Sequence, residues 1–378
     1  MMEELALFPD IITDAPDTEG IKYAGSKLKL LPHILHLAKK VPARSVFDGF
    51  SGTTRVSQAF AKSGYRVIAN DCAVWSQVFG TCYLLNHKSP AEYRDLIKHL
   101  NAVTPVDGWF TQHYGGLPNG GLSSQVDGLK KPWQVKNTKK LDAIRDEIER
   151  LSLPPVDKAV ALTSLILALD KVDSTMGHYV SYLNNWSPRS YNDLLLNVPA
   201  VFATTEDNQV LRGDIFNILP SVQTDIAYFD PPYGSSNEKM PPSRVRYASY
   251  YHPWTTVCLH DKPQLFGKAN RRVDTSDTVA GSVFEEFRRN SSGRFIAVES
   301  IEQLLRSVNS QWIILSYSSG GRATAEELND AIASSGRVLV VEEIDYKKNV
   351  MAGMKWTNDW IRDAEEPHRE FLFLIEKK

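Results

Sequence analysis

The chain has 378 residues, 42% of them apolar and 23% charged, which is enough to bury a sizeable core in one large or two modest domains. With no Gly-X-Y period and no low-complexity tract, fibrous and intrinsically disordered classes are excluded. A formal net charge of −2, from 43 Lys+Arg against 45 Asp+Glu, gives no global field for a polyanion, so any nucleic-acid contact has to come from a local basic patch.

No uncharged apolar run approaches the roughly eighteen residues of a membrane span, and the acidic stretch 1–20 lacks the basic start and apolar centre of a signal peptide. A cytoplasmic protein without membrane contact is the expectation. Cys72, Cys82 and Cys258 are odd in number and widely spaced, which fits a reducing compartment and supplies neither a disulfide framework nor a zinc set.

After the acidic leader, residues 27–39 carry Leu28, Leu31, Ile34, Leu35 and Leu37 at helical spacing. The apolar run 45–47, closed by Asp48 and Gly49, predicts a strand; a helix over 53–63 and a strand over 66–69 ending at Asn70 and Asp71 complete a βαβ unit. From about residue 86 the strand rhythm disappears. Helices are predicted over 91–100, 138–151 and 156–172, with a Gly-rich stretch at 115–121, so 87–208 reads as a mainly helical insertion.

Strands resume at 209–211, 225–229, 312–315, 338–341 and 371–375, giving about seven in an α/β core with a mostly parallel sheet built from residues 21–86 and 209–378. Residues 234–293 look irregular and are rich in Pro, Tyr, Arg and His. They are too long for a plain loop and read as a lid.

The sharpest local signal is Asp230-Pro231-Pro232-Tyr233, directly after the strand ending at Phe229, where α/β sheets place their ligand crevice. Two prolines remove two backbone donors, which leaves the Asp230 and Pro231 carbonyls available to a ligand. An aromatic amine is a poor nucleophile because its lone pair is delocalised into the ring. Acceptors such as the Asp230 side chain and the Pro231 carbonyl, holding both N–H bonds, favour a tetrahedral nitrogen that can attack. Tyr233 can stack on an extruded base. By itself the tetrapeptide also suits a rigid turn.

A second signal is the turn Phe47-Asp48-Gly49-Phe50-Ser51-Gly52-Thr53-Thr54, whose glycines let a ligand approach the backbone, although it is not the full G-x-G-x-x-G pattern. Asp71, 22 residues after Gly49, is spaced to take ribose hydroxyls, or else to cap a helix. Asp214 can accept from an adenine amino group beside the apolar Ile215 or Phe216, and equally fits a helix cap. Third, Lys22-Tyr23-Ala24-Gly25-Ser26-Lys27 sets a small-residue turn between two lysines, either an anion site or a solvated basic turn.

Together these segments resemble the adenine-specific DNA methyltransferases of the DNA adenine methylase type, in which cofactor motifs precede the catalytic motif; the likeness covers residues 21–86 and 209–317. The resemblance implies a Rossmann-like methyltransferase fold, S-adenosyl-L-methionine as cofactor, and transfer to adenine N6 in double-stranded DNA by base flipping and in-line displacement, with no metal. It further implies that Lys22, Tyr23, Gly25, Lys27, Asp48, Phe50, Ser51, Gly52 and Thr53 hold the cofactor. Asp71 would take its ribose, Asp214 and Ile215 would face its adenine, and Asp230 would adjoin it while forming the catalytic motif with Pro231, Pro232 and Tyr233. Thr54 departs from the family, standing where the turn often has a second glycine. A looser likeness runs through 170–179 and 194–199. A restriction-modification role with a cognate restriction endonuclease belongs to the same resemblance, whereas the oligomeric state does not follow from it.

Residues 235–272 hold seven Lys/Arg against two acids, a local net of +5 in a neutral chain, interleaved with Tyr247, Tyr250, Tyr251, His252 and Trp254. Arg244, Arg246, Tyr250, His252, Lys262, Lys268, Arg271 and Arg272 are the candidate DNA contacts. The lysines between 130 and 140 read as a solvated face. Cytosine N4, RNA and protein glutamine methylation pose the same chemical problem, and a non-catalytic DNA-binding module is the rival from another class. The intact 230–233 motif favours an enzyme.

Overall fold

The computed structural model describes residues 14–204, 206–233, 246–276, 281–286, 288–345 and 369–378. Its centre is a seven-stranded sheet of order β10-β11-β9-β6-β1-β2-β5. The strands are β1 (Ser45–Asp48), β2 (Arg66–Asp71), β5 (Gln209–Arg212), β6 (Ile226–Phe229), β9 (Trp312–Ser318), β10 (Gly336–Asp345) and β11 (Arg369–Lys377). Two small ladders, β3 (Gly115–Gly116) with β4 (Trp133–Gln134) and β7 (Leu265–Phe266) with β8 (Arg271–Arg272), stand apart from it.

The strands β5, β2, β1, β6 and β9 run parallel, and β11 enters antiparallel between β9 and β10. This is the mostly parallel, Rossmann-like α/β fold that the sequence leads one to expect. β1, β2 and β6 are short continuous apolar runs because both faces are covered. Val46, Val67, Ile226 and Ile314 meet the helices α1 (Leu31–Lys39) and α2 (Arg55–Lys62) on one face. On the other face Phe47, Ala227, Phe229 and Leu315 meet α11 (Ile296–Ser307) and α12 (Ala325–Ser335).

A third core lies to the side. There α3 (Val74–Leu84), α4 (Arg94–Ala102), α5 (Trp109–Tyr114), α6 (Val135–Arg150) and α7 (Pro155–Lys171) bury Phe79, Leu100, Phe110, Ile144 and Leu165. The short helix α8 (Ile215–Ile218) follows β5. Residues 246–276, expected to be irregular, instead form α9 (Tyr247–Tyr250), α10 (His252–Leu259) and the β7–β8 hairpin, and their Tyr251, Trp254 and Val257 join this third core. The end of the acidic leader is also built in: Glu19 exchanges backbone bonds with the Gln58 side chain and accepts from the Tyr83 hydroxyl at 2.9 Å. No helix among the described residues is long and apolar enough to cross a membrane.

Candidate active site

In the sheet the chain reverses its winding direction between β1 and β6: β2 and β5 lie beyond β1, while β9 lies beyond β6. Loops leaving the carboxyl ends of these strands therefore diverge and leave a crevice. A cavity of about 570 Å³ occupies it, lined by the ends of β1, β2, β5 and β6, by the 23–27 turn and by one side of α9 and α10.

The turn after β1 forms the floor. Gly49 donates to the Tyr228 carbonyl at 3.1 Å, Ser51 donates to the Asn70 carbonyl at 2.9 Å, and a Cβ on Gly49 would stand 2.7 Å from the Phe229 ring. Gly52 has φ +46° and faces the Tyr23 ring. Thr54 has φ +61°, the left-handed conformation that glycine adopts without cost. Its hydroxyl donates to the Thr53 carbonyl and accepts from Gln58 Nε2, two bonds that help hold the strained residue.

Three carboxylates end three neighbouring strands or turns. Asp48 is 1% exposed; Ser57 Oγ donates to its Oδ2 at 2.5 Å, and its Oδ1 has no partner. Burial, opposed by the Ser57 bond and reinforced by Asp71, pushes its pKa up to about 7. Asp71 is oriented by backbone donors, Gly52 N–H to Oδ2 and Ala73 N–H to Oδ1, each at 2.8 Å, while burial raises its pKa against them. Asp214 accepts from Phe216 N–H at 2.9 Å as the cap of α8, and it lines the cavity while doing so.

Asp230 follows β6, with Pro231 buried behind it. Burial pushes the Asp230 pKa up to about 8; Lys27 pulls it down, while Asp48 and Glu370 add to the rise. Lys27, only 7% exposed, places Nζ 3.5 Å from Asp230 Oδ2, 2.7 Å from Glu370 Oε1 and 2.6 Å from the Tyr233 hydroxyl. Ser316 Oγ and the Tyr233 hydroxyl also donate to Glu370, at 2.8 and 2.7 Å. The Tyr233 hydroxyl is tied into this ion cluster, and its ring, which lines the cavity, lies beside Lys27 and 4.9 Å from the Tyr317 ring.

The crevice brings together Tyr23, Gly25, Lys27, Asp48, Phe50, Ser51, Gly52, Thr53, Asp71, Asp214, Ile215, Asp230, Pro231, Pro232 and Tyr233. Lys22 is not among the cavity's lining residues: its Nζ donates to the Asp170 carbonyl and to Asp173 Oδ1, the latter at 2.8 Å, fastening the 22–27 turn to the end of α7. Residues that sequence reasoning missed are Glu370, Ser316 and Trp75, the last joining an aromatic wall in which the anticipated Tyr23 stacks on Tyr251 at 4.8 Å beside Tyr247. Glu285, raised to about 7 by burial, also lines the cavity. No local pattern marks these positions.

Several candidate DNA contacts prove structural. His252 is fully buried, its Nε2 lies 3.1 Å from the Tyr179 carbonyl, and burial lowers its pKa to about 3, so it is uncharged at neutral pH. Arg272 is 3% exposed and forked between Asp261 and Asp274 with four bonds of 2.7 to 3.0 Å. Arg246 is buried beside Glu285 and Gly281. Tyr250 is half-buried with its ring against His178. Lys262 and Lys268 are exposed, and Arg271 is half-exposed over the Phe266 ring. Arg244 lies outside the described residues.

A mostly parallel sheet with this strand order, an Asp-Pro-Pro-Tyr motif at its switch point and an acidic residue ending the second strand fit a Rossmann-like methyltransferase. The family model of the D12 class N6 adenine-specific DNA methyltransferase matches residues 23–278, more than half of the chain, and the chain belongs to that family. It is similar to the type II methyltransferase M.NlaIII of Neisseria lactamica, 27% identical over 332 residues that make up 85% of this chain and 90% of the relative. It is also similar to the modification methylase LlaI of Lactococcus lactis subsp. lactis, 26% identical over 344 residues, 87% of this chain and 51% of the relative. With the modification methylase StsI of Streptococcus sanguinis the identity is 28% over 347 residues, 87% of this chain and 48% of the relative. The chain thus spans about half the length of LlaI and StsI and nearly all of M.NlaIII.

Proposed function

We propose that the protein transfers a methyl group from S-adenosyl-L-methionine to the N6 amine of adenine in double-stranded DNA. The observation that supports this most directly is that Asp230 and Pro231 leave β6 into the same cavity as Asp71 and the 48–53 turn, so an acceptor amine and a nucleoside cofactor can meet in one enclosure. Family membership supports the choice of adenine.

The residues present fit such a cofactor. Asp48 Oδ1 and Asn70 Oδ1 are buried acceptors without partners on the cavity wall, Gly49 and Gly52 bring backbone close to it, and carboxylates outnumber cations around it, which suits a ligand carrying a sulfonium. Asp71 keeps lone pairs for a ribose diol after accepting two backbone bonds, and Asp214 with Ile215 would face the adenine. When bound, the cofactor supplies an electrophilic methyl group.

The chain's own residues do the rest. Asp230 and the Pro231 carbonyl accept the two N–H bonds of the target amine and direct its lone pair toward the methyl carbon. Extrusion of the base from the duplex is part of this reading, because the motif sits in a crevice at the carboxyl ends of the strands, which an adenine stacked inside a duplex cannot enter. The names of the relatives, modification methylases and a type II methyltransferase, support a restriction-modification role; a cognate endonuclease as partner and a cytoplasmic location are part of this reading.

The test is calorimetric titration with S-adenosyl-L-methionine followed by transfer of its labelled methyl group to unmethylated duplex DNA. Binding and transfer support the reading. Absence of cofactor binding refutes it and favours a non-catalytic DNA-binding module.

A further inference from the structure

Glu370 stands at the start of β11, 137 residues beyond Tyr233 and outside the 23–278 stretch matched by the family model. Its place in the sheet brings it beside β9, where Glu370 pairs with Ser318 and Ser316 lies two residues away on the strand that neighbours β6. The residue is 7% exposed, and three donors converge on its Oε1: Lys27 Nζ, the Tyr233 hydroxyl and Ser316 Oγ.

A buried ion pair costs desolvation that a well-packed apolar pair avoids, so this arrangement is not the obvious way to stabilise the start of an interior strand. Its geometry bears on Asp230 instead. Lys27 Nζ lies 2.7 Å from Glu370 and 3.5 Å from Asp230, although both carboxylates are within reach of the same flexible side chain. An ammonium seated directly on Asp230 would occupy one of its oxygens and weaken it as an acceptor of further N–H bonds.

We propose that Glu370 is a positioning residue for methyl transfer: by engaging the Lys27 ammonium and the Tyr233 hydroxyl, it keeps the Asp230 carboxylate open to the N–H bonds of the target amine. The proposal rests on the reading of Asp230 as acceptor of those bonds. The charged and titratable groups facing Asp230 are Lys27 from the 22–27 turn, Asp48 from the end of β1 and Glu370 from β11, with the phenols of Tyr23, Tyr228, Tyr233 and Tyr247, which burial keeps protonated. Glu370 is thus one of two anions that oppose Asp230 ionisation, and Lys27 is the cation that favours it.

Glu370→Gln keeps the shape and one acceptor oxygen while removing the charge, so Lys27 turns to Asp230. The expected result is a fall in kcat of at least tenfold, a KM for S-adenosyl-L-methionine within threefold of wild type, and an acid limb of the pH–rate profile displaced downward by at least one unit. A second readout needs neither cofactor nor DNA. The stability difference between each protein and its Asp230→Asn derivative, followed against pH, levels off at a pH at least one unit lower in the Glu370→Gln background. Loss of stability with an unchanged profile and an unchanged levelling point overturns the proposal and leaves Glu370 a structural residue.

If Glu370→Gln does not fold, Glu370→Asp carries the test: one methylene shorter, it withdraws from Lys27 but retains its charge. With the anion retained but the Lys27 ammonium drawn toward Asp230, the acid limb then moves down while kcat falls, and an unchanged kcat overturns the proposal. A wild-type protein that methylates no adenine refutes the functional reading by itself, and the stability comparison still decides whether Glu370 is coupled to Asp230.

Discussion

Burial holds the Asp230 pKa at about 8, so the ligand-free protein carries much of this group protonated at neutral pH, whereas the proposed chemistry uses its ionised form. Between roughly pH 4 and 8 the folded chain keeps a proton that the unfolded chain has lost, so this group's contribution to stability falls as pH rises through that window, by up to about 1.4 kcal/mol per unit. Asp230→Asn is therefore expected to gain in Tm over wild type increasingly from pH 5 to pH 8 and to level off above; a gap independent of pH contradicts the burial argument. Asp71 tests the cofactor side. Asp71→Ala should weaken S-adenosyl-L-methionine binding by at least about tenfold, through loss of a charged acceptor worth roughly 1.5–3 kcal/mol, and an unchanged Kd by calorimetry removes its ribose role. Asp230 and Asp71 were legible in the sequence because each ends a strand within a short local motif. Glu370 was not, because a lone acidic residue in an apolar strand carries no signal until the sheet places it beside Lys27.

The strands were readable at the scale of elements, since each buried one is a short apolar run closed by an acidic or small residue, as in Ser45–Asp48 and Arg66–Asp71. The helix α3 was missed because it is packed between α7 and β5 and is apolar on most sides, so it shows no helical period to read. In α12 the capping pair Thr324 and Glu327, followed by Leu328, Ala331 and Ile332, was the available signal. Thr54 links the β1 turn to α2 at positive φ, and its replacement sets two effects against each other: Thr54→Gly relieves left-handed strain of about 1–2 kcal/mol but gives up two hydroxyl bonds and adds chain entropy. The expected net change in denaturant-derived stability is within about 1 kcal/mol; a loss above 3 kcal/mol contradicts the account of that turn.

Across the whole molecule, the helical part and residues 246–276 share one core, which explains why half of the basic segment's candidate DNA contacts are structural. Sequence composition counts charges and cannot say which of them fold inward. Arg272, held by Asp261 and Asp274, is expected on replacement by Ala to cost about 2 kcal/mol of stability, while Lys262→Ala with Lys268→Ala should leave stability unchanged and lower the salt dependence of DNA binding by roughly one unit of slope for each phosphate no longer neutralised. Unfolding titrations and binding measured across salt concentrations separate the two effects. A reversed pattern, with Arg272 governing the salt slope, would show that the fork opens to reach DNA.

The most direct measurement of the central claim is mass spectrometry of nucleosides from unmethylated DNA incubated with isotopically labelled S-adenosyl-L-methionine and either wild type or Asp230→Ala. The account predicts labelled N6-methyladenine from wild type alone, with S-adenosyl-L-methionine affinity of the variant within a few fold of wild type. Labelled N6-methyladenine formed at comparable rates by both proteins would contradict it.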